Sequence, residues 1–321
     1  MPAYASHVQR MTATSASERG AGLDGMMSIL DDLSEEQLLA VVREPGLLAA
    51  LNLFLSGDRS LTALKVLDSL MGKAINPLSL ALMLSYAAIF DSPCFPSLKD
   101  IASSGRTLEL KQSAWAAITG LACMEEGRLR EMFDSPGMVA LLQAGLESAD
   151  ITIASMASAT VYNLCEDETI ASAIFDSPCF PSAKNVAALG STLGLKREAW
   201  KFITCVTNME EGRLRELFDS PGMVALMQTG LASMDVDIAE SAAITISNLC
   251  YDETTATAVL DGHPDLVQAI ADTFCNVGVC EQFMSKSQLR SLFSNLNSSD
   301  TFFSSSRPSW VQNAHEDGAH D

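Results

Sequence analysis

The chain is in large part a copy of itself, and that feature limits its possible folds more than any motif does. The segment IFDSPCFPSLK begins at Ile89 and IFDSPCFPSAK at Ile174, while MEEGRLREMFDSPGMVALLQ begins at Met124 and MEEGRLRELFDSPGMVALMQ at Met209. The offset is 85 residues in both cases, and from Ile89 to Ile170 roughly 52 of 82 positions equal their counterparts from Ile174 to Thr255. The duplicated block divides again. Phe-Asp-Ser-Pro recurs at Phe90, Phe133, Phe175 and Phe218, with a weaker relative running from Leu260 to Pro264, so the steps are 43, 42, 43 and 42 residues. A period in the low forties fits helical solenoids and is too long for strand solenoids or for 33- and 34-residue helix pairs.

Each unit reads as three helices. EEGRLREM, from Glu125 to Met132, predicts a short polar helix. Ser135 and Pro136 are then expected to supply a capping hydroxyl and a first-turn proline to a second helix, GMVALLQAGL. Asp150 is expected to cap a third, ITIASMASATVYNLC, which is apolar on nearly all faces and so belongs inside a stack. The run DVDIAESAAITISNLC from Asp235 to Cys250, preceded by PGMVALMQTGL from Pro221 to Leu231, resembles the third and middle helices of an armadillo repeat. Two-helix HEAT units fit less well.

The resemblance implies an all-α, right-handed α-solenoid of about five to six armadillo-like repeats with a period of 42–43 residues. Units are expected near 33–76, 77–122, 123–165, 166–207 and 208–251, with a divergent cap over 252–296, in a repeat domain spanning 25–296. Residues 1–24 and the Ser-rich, acidic tail 297–321 are expected to be disordered. Pro45 lies 48 residues before Pro93, which places extra residues in the third helix of the first unit or the first helix of the second.

Composition narrows the function. With 20 Lys plus Arg against 40 Asp plus Glu among 321 residues, the net charge of -20 opposes nucleic-acid binding and favours a basic partner. The apolar runs Leu47 to Leu55 and Leu78 to Phe90 are too short or too interrupted to span a membrane and read as buried helices. The N-terminus lacks the apolar centre of a secretory signal, so a cytoplasmic or nuclear protein is expected; Arg10 with no acid before Glu18 also fits an organelle transit peptide.

Catalytic and metal signatures are absent from the sequence. The eight cysteines read as reduced thiols, with Cys94 and Cys179 at one repeat position and Cys165 and Cys250 at another; Cys123, Cys205, Cys275 and Cys280 are expected to be small buried hydrophobes. No Cys/His spacing suits zinc, and no cofactor is expected. Of the four histidines only His263 falls near the expected core, at a helix start, so hydrolytic triads lack a base. Gly20-Ala-Gly-Leu-Asp-Gly25 matches GxGxxG without the strand–helix context that motif needs.

Armadillo proteins that hold extended peptides carry a row of asparagines on their third helices, often with a tryptophan one turn earlier, and the resemblance maps these rows here. Asn163 and Asn248 match the asparagine, with Ser69, Gly120 and Cys205 in the other units. The tryptophan position falls at Lys65, Ala116, Ala159, Lys201 and Ile244. A one-residue shift would instead bring Trp115 and Trp200 into that row and Thr119 and Thr204 into the asparagine row. Asn163, Asn248, Trp115, Trp200 and Lys201 are therefore the candidate groove residues, with packing inside the stack as the competing role. The duplicated EEGRLRE segments read as solvated helices with local Glu–Arg pairs, and the FDSP turns as helix starts.

The resulting expectation is a non-enzymatic, monomeric scaffold that binds a peptide or protein segment along the third helices. The alternatives are a self-assembling solenoid and an adaptor resembling nuclear-import or chaperone-cofactor armadillo proteins.

Overall fold

The computed structural model describes residues 3–72, 80–263, 265, 266 and 269, which form 18 α-helices and no strand. They fall into two compact units divided between Asp167 and Glu168. The first opens with α1 (Ala3–Met11) and α2 (Ala16–Leu30). Three triplets follow: α3 (Glu35–Val42), α4 (Leu47–Leu55) and α5 (Ser60–Gly72); α6 (Leu80–Phe90), α7 (Cys94–Ser104) and α8 (Leu108–Leu121); α9 (Glu126–Phe133), α10 (Met138–Leu146) and α11 (Ile151–Leu164). The second unit holds α12 (Glu168–Phe175), α13 (Cys179–Leu189) and α14 (Leu193–Val206), then α15 (Glu211–Phe218), α16 (Met223–Leu231) and α17 (Val236–Leu249), and finally α18 (Glu253–Gly262).

Third helices start where a side chain replaces missing backbone partners. Asp150 and Asp235 accept from the N–H of Ile153 and Ile238 at 3.0 and 3.3 Å, and Thr107 and Thr192 do the same for Leu110 and Leu195 at 3.2 Å. The second helices α10 and α16 start differently from the sequence expectation. Ser135 does not cap α10; its hydroxyl donates to the Met132 carbonyl at 2.7 Å. The chain passes Pro136 and turns at Gly137, whose φ of 81° suits a residue without Cβ, and Gly222 repeats this at 80°.

Within each unit, second helices pack on second helices (α4, α7, α10; α13, α16) and third on third (α5, α8, α11; α14, α17). An aromatic lock joins successive repeats. The Trp115 side chain from α8 lies over Gly145 of α10, where an added Cβ would stand 2.5 Å from Trp115 Cζ2 and 2.7 Å from Ala157 Cβ on α11. Trp200, Gly230 and Ala242 repeat this at the same two distances.

The N-terminal stretch departs from the expected disorder. Met11, Leu23, Met26 and Leu30 are inaccessible to solvent, and α1 packs on α4 and α2 on α5, covering the face of the first triplet. The apolar spacing Ala5, Val8, Met11 and Leu23, Met26, Leu30 is helical, but Ser, Thr and Gly obscure it in the composition. The GxGxxG match belongs to this contact: a Cβ on Gly22 would stand 2.7 Å from the Met11 nitrogen, so its glycine admits the α1 backbone. His7 also lies in α1, against Gly25.

The 48-residue first step is reflected in α6, which has 11 residues where α9, α12 and α15 have 8 each. Of the expected cap, α18 lies within the described residues; most of the remainder, with Cys275, Cys280 and the tail 297–321, lies outside them. His263 caps the C-terminus of α18 and precedes the helical Asp265 and Leu266, the Leu266 N–H donating to its carbonyl at 3.0 Å, with its ring edge-on to Phe218 at 5.3 Å between centroids. No single helix among the described residues is long and apolar enough to cross a membrane.

Candidate functional site

The two most repeated surface motifs serve the fold. Arg128 of α9 pairs locally with Glu131, as expected, but also with Asp91 in the FDSP turn of the preceding repeat, and its guanidinium lies 5.4 Å from the Phe90 ring centroid. In the duplicate, Arg213 reaches Asp176 at 2.7 Å and stacks on Phe175 at 5.2 Å. The Asp176 carboxyl is held below the usual range by these hydrogen bonds from Arg213. A second clamp runs the other way: Lys99 Nζ donates to Ser135 Oγ at 3.0 Å and to the Pro136 carbonyl at 2.8 Å, and Lys184 to Ser220 and Pro221 at 3.2 and 3.1 Å. These segments are nearly identical between the copies, and the contacts recur with them. Spacing within one helix had shown only the local pairs.

A different surface is left for recognition. On α8 and α11, Trp115, Ala117, Ile118, Ala157 and Val161 face the interior, and Gln112, Ala116, Gly120, Ser155, Ala159 and Tyr162 face outward, at least partly exposed. On α14 and α17 the corresponding outward set includes Arg197, Lys201, Glu240 and Ile244. Threonine rungs fix this rotation. Thr119 Oγ1 lies 3.0 Å from Thr160 Oγ1 and 3.1 Å from the Met156 carbonyl, and Thr204 and Thr245 are also 3.0 Å apart.

The rungs decide between the two registers left open by the sequence. Trp115 and Trp200 are each 1% exposed, so their assignment to a groove is corrected: they are core residues, one position around the helix from the outward row. Asn163 and Asn248 do lie on the half-exposed face. Their amide nitrogens join neighbouring third helices, Asn163 Nδ2 donating to Cys123 Sγ at 3.3 Å and Asn248 Nδ2 to Thr207 Oγ1 at 2.7 Å. Lys201 is exposed and pairs with Glu198 at 2.9 Å.

Two residues on this surface were missed or misread. Cys123 is an exposed residue just past the end of α8, although its sulfur is partly enclosed; this partial desolvation and the nearby Glu166 push its thiol pKa up. Arg197, which replaces Gln112 in the duplicate, binds the nearly buried Asp235 at 2.6 Å. The Arg197 hydrogen bond holds the Asp235 carboxyl low; the uncharged Gln112 amide donates a single hydrogen bond to Asp150 at 3.1 Å. Among the described residues, no three His, Cys, Asp or Glu side chains gather as metal ligands would.

Comparison with solved structures identifies the architecture. A designed armadillo repeat protein is 13% identical with a TM-score of 0.60, over 77% of this chain and 99% of its own. A designed armadillo repeat protein in complex with the peptide (KR)4 is 12% identical with a TM-score of 0.63, over 77% and 99%. The fold is an armadillo-like helical repeat. A computationally designed armadillo repeat protein for modular peptide recognition adds a TM-score of 0.62 at 13% identity, over 76% and 99%. No family model and no curated protein sequence matches the chain.

Proposed function

We propose that this armadillo-like chain is a non-enzymatic scaffold that holds an extended peptide or protein segment along its third helices. The observation that carries the reading is the row of outward positions on α8 and α11, and again on α14 and α17, each pair held at one rotation by its threonine rung. Such a row offers side chains at a regular interval to a linear ligand without a closed pocket. Related architectures designed for peptide recognition, one of them bound to (KR)4, support the same use here. The net charge of -20 attracts a basic segment at long range, although the local rows differ in charge. Self-assembly is disfavoured as a reading because α1 and α2 cover one face of the first triplet.

An octapeptide array probed with the full chain tests the proposal. Ala159→Arg with Ile244→Arg, both on third helices, should remove most retained peptides. Ala140→Arg with Ala225→Arg, at exposed positions on α10 and α16, should leave the pattern unchanged. Equal patterns for the two double variants would refute binding by the third helices.

A further inference from the structure

The internal duplication allows each outward position on α8 and α11 to be compared with its counterpart on α14 and α17. Residues that hold the stack are the same in both copies: Trp115 and Trp200, Thr119 and Thr204, Ala157 and Ala242. Exposed clamp residues are also the same, including Asp91 and Asp176 and Arg128 and Arg213. Among the outward third-helix positions Asn163 and Asn248 are alike, but most of the others differ. Gln112, Ser113, Ala116, Ser155 and Ala159 stand opposite Arg197, Glu198, Lys201, Glu240 and Ile244.

These differences have a direction. From Gln112 to Met124 and from Ile151 to Cys165 the chain contains no Asp, Glu, Lys or Arg, although 19% of all residues are charged. The counterpart stretches carry Arg197, Glu198, Lys201, Asp237 and Glu240. Depletion of charge with Tyr and Met present marks the centre of a covered surface. Here Tyr162 is 58% exposed and Met156 is half-buried beside the exposed Ala159. The surface is also dented: a Cβ on Gly120 would meet only Met71 Sδ, at 4.0 Å, whereas its counterpart Cys205 fills that position at 7% exposure.

We propose that the outward face of α8 and α11 selects an extended peptide stretch with uncharged, apolar side chains, seated over Ala116, Gly120 and Ala159. This rests on the third-helix reading above and names the ligand class for one part of it. Between Gln112 and Met124 and between Ile151 and Cys165 these two helices offer no opposite charge to a Lys, Arg, Asp or Glu seated over Ala116, Gly120 and Ala159. The charges around them are Asp150 and Glu166 at the ends of these stretches and Lys65 and Asp68 on α5, and burial of charge without a partner is strongly disfavoured. A second copy of the chain is a poor occupant, since both partners would carry a net charge of -20.

The duplicate supplies a variant that the fold accommodates at the equivalent position: Ala116→Lys installs the residue found at Lys201. Anisotropy of labelled (Ser-Leu)4, (Lys-Arg)4 and (Ser-Glu)4 is measured with full-length wild type and variant, and retention of helical circular dichroism confirms folding. Wild type should bind (Ser-Leu)4 most tightly with little dependence on salt. Ala116→Lys should weaken that peptide at least about tenfold, equivalent to about 1.4 kcal/mol, and strengthen (Ser-Glu)4. Preference of wild type for either charged peptide, with sensitivity to Ala116→Lys, would retain the third-helix surface and overturn the apolar choice. Binding of (Ser-Leu)4 unchanged in Ala116→Lys would also overturn it, as would failure of wild type to bind any of the three. If Ala159→Arg with Ile244→Arg changes no binding either, the third-helix reading fails as well.

Discussion

Trp200→Ala should lower the stability of the second unit by about 3–5 kcal/mol, the usual cost of removing a fully buried aromatic side chain, and Trp115→Ala should do the same to the first. Each ring is 1% exposed and fills the space between a second helix and two third helices. The complementary change tests the same lock from the other side. Gly145→Ala or Gly230→Ala adds one methyl group where the nearest ring carbon is 2.5 Å away, so the helices must separate. Overpacking of this kind costs about 1–3 kcal/mol. Urea denaturation followed by circular dichroism measures both effects. Losses below about 1 kcal/mol for both tryptophan variants would mean that the rings are not core residues, since buried aromatic truncations exceed that value.

Removal of residues 1–31 should make the chain self-associate. The hairpin of α1 and α2 places Met11, Leu23, Met26 and Leu30 out of solvent against the first triplet, and Arg59 ties it down through Asp24 at 2.7 Å and the Gly20 carbonyl at 3.2 Å. Each buried apolar side chain of this size contributes about 1.5–3 kcal/mol relative to exposure. Their removal uncovers facing residues on α4 and α5, and a solenoid without its terminal cap has an open apolar end. Size-exclusion chromatography over a concentration series is the check. Full-length protein should elute at one position throughout, whereas the truncated chain should shift to larger species or precipitate. Unchanged elution and stability after truncation would show that the hairpin does not cap the stack.

Much of this architecture was legible because duplication exposes its own period. The FDSP spacing set the repeat length, and the Asp150 cap located the start of α11. What could not be read depended on contacts between repeats. Arg128 has acids on its own helix, so one-dimensional spacing hides its reach to Asp91, 37 residues earlier. Ser135 and Pro136 satisfied a capping pattern, but the backbone accommodates Gly137 in a left-handed turn and the hydroxyl bonds backwards. The N-terminal helices were hidden by small and polar residues whose value lies in close helix approach, Gly22 being the clearest example.

The candidate site was legible to within one residue of helix rotation, about 100° around the axis. That interval separates Trp115 from Ala116 and Thr119 from Gly120. The sequence placed Asn163 and Asn248 on the outward row but gave no sign that their amides join adjacent third helices through Cys123 and Thr207. Net charge pointed to a basic partner, whereas the charge-free run on α8 and α11 points locally to an apolar one. Long-range steering and local desolvation are separate effects, and only residue positions reveal the second.

Amide hydrogen exchange with and without a peptide retained from the array is the most direct test of third-helix binding. The account predicts added protection in α8 and α11, or in α14 and α17, with α9, α10, α15 and α16 unchanged. Protection concentrated in the first helices and FDSP turns would contradict it and move the binding surface to the clamp residues.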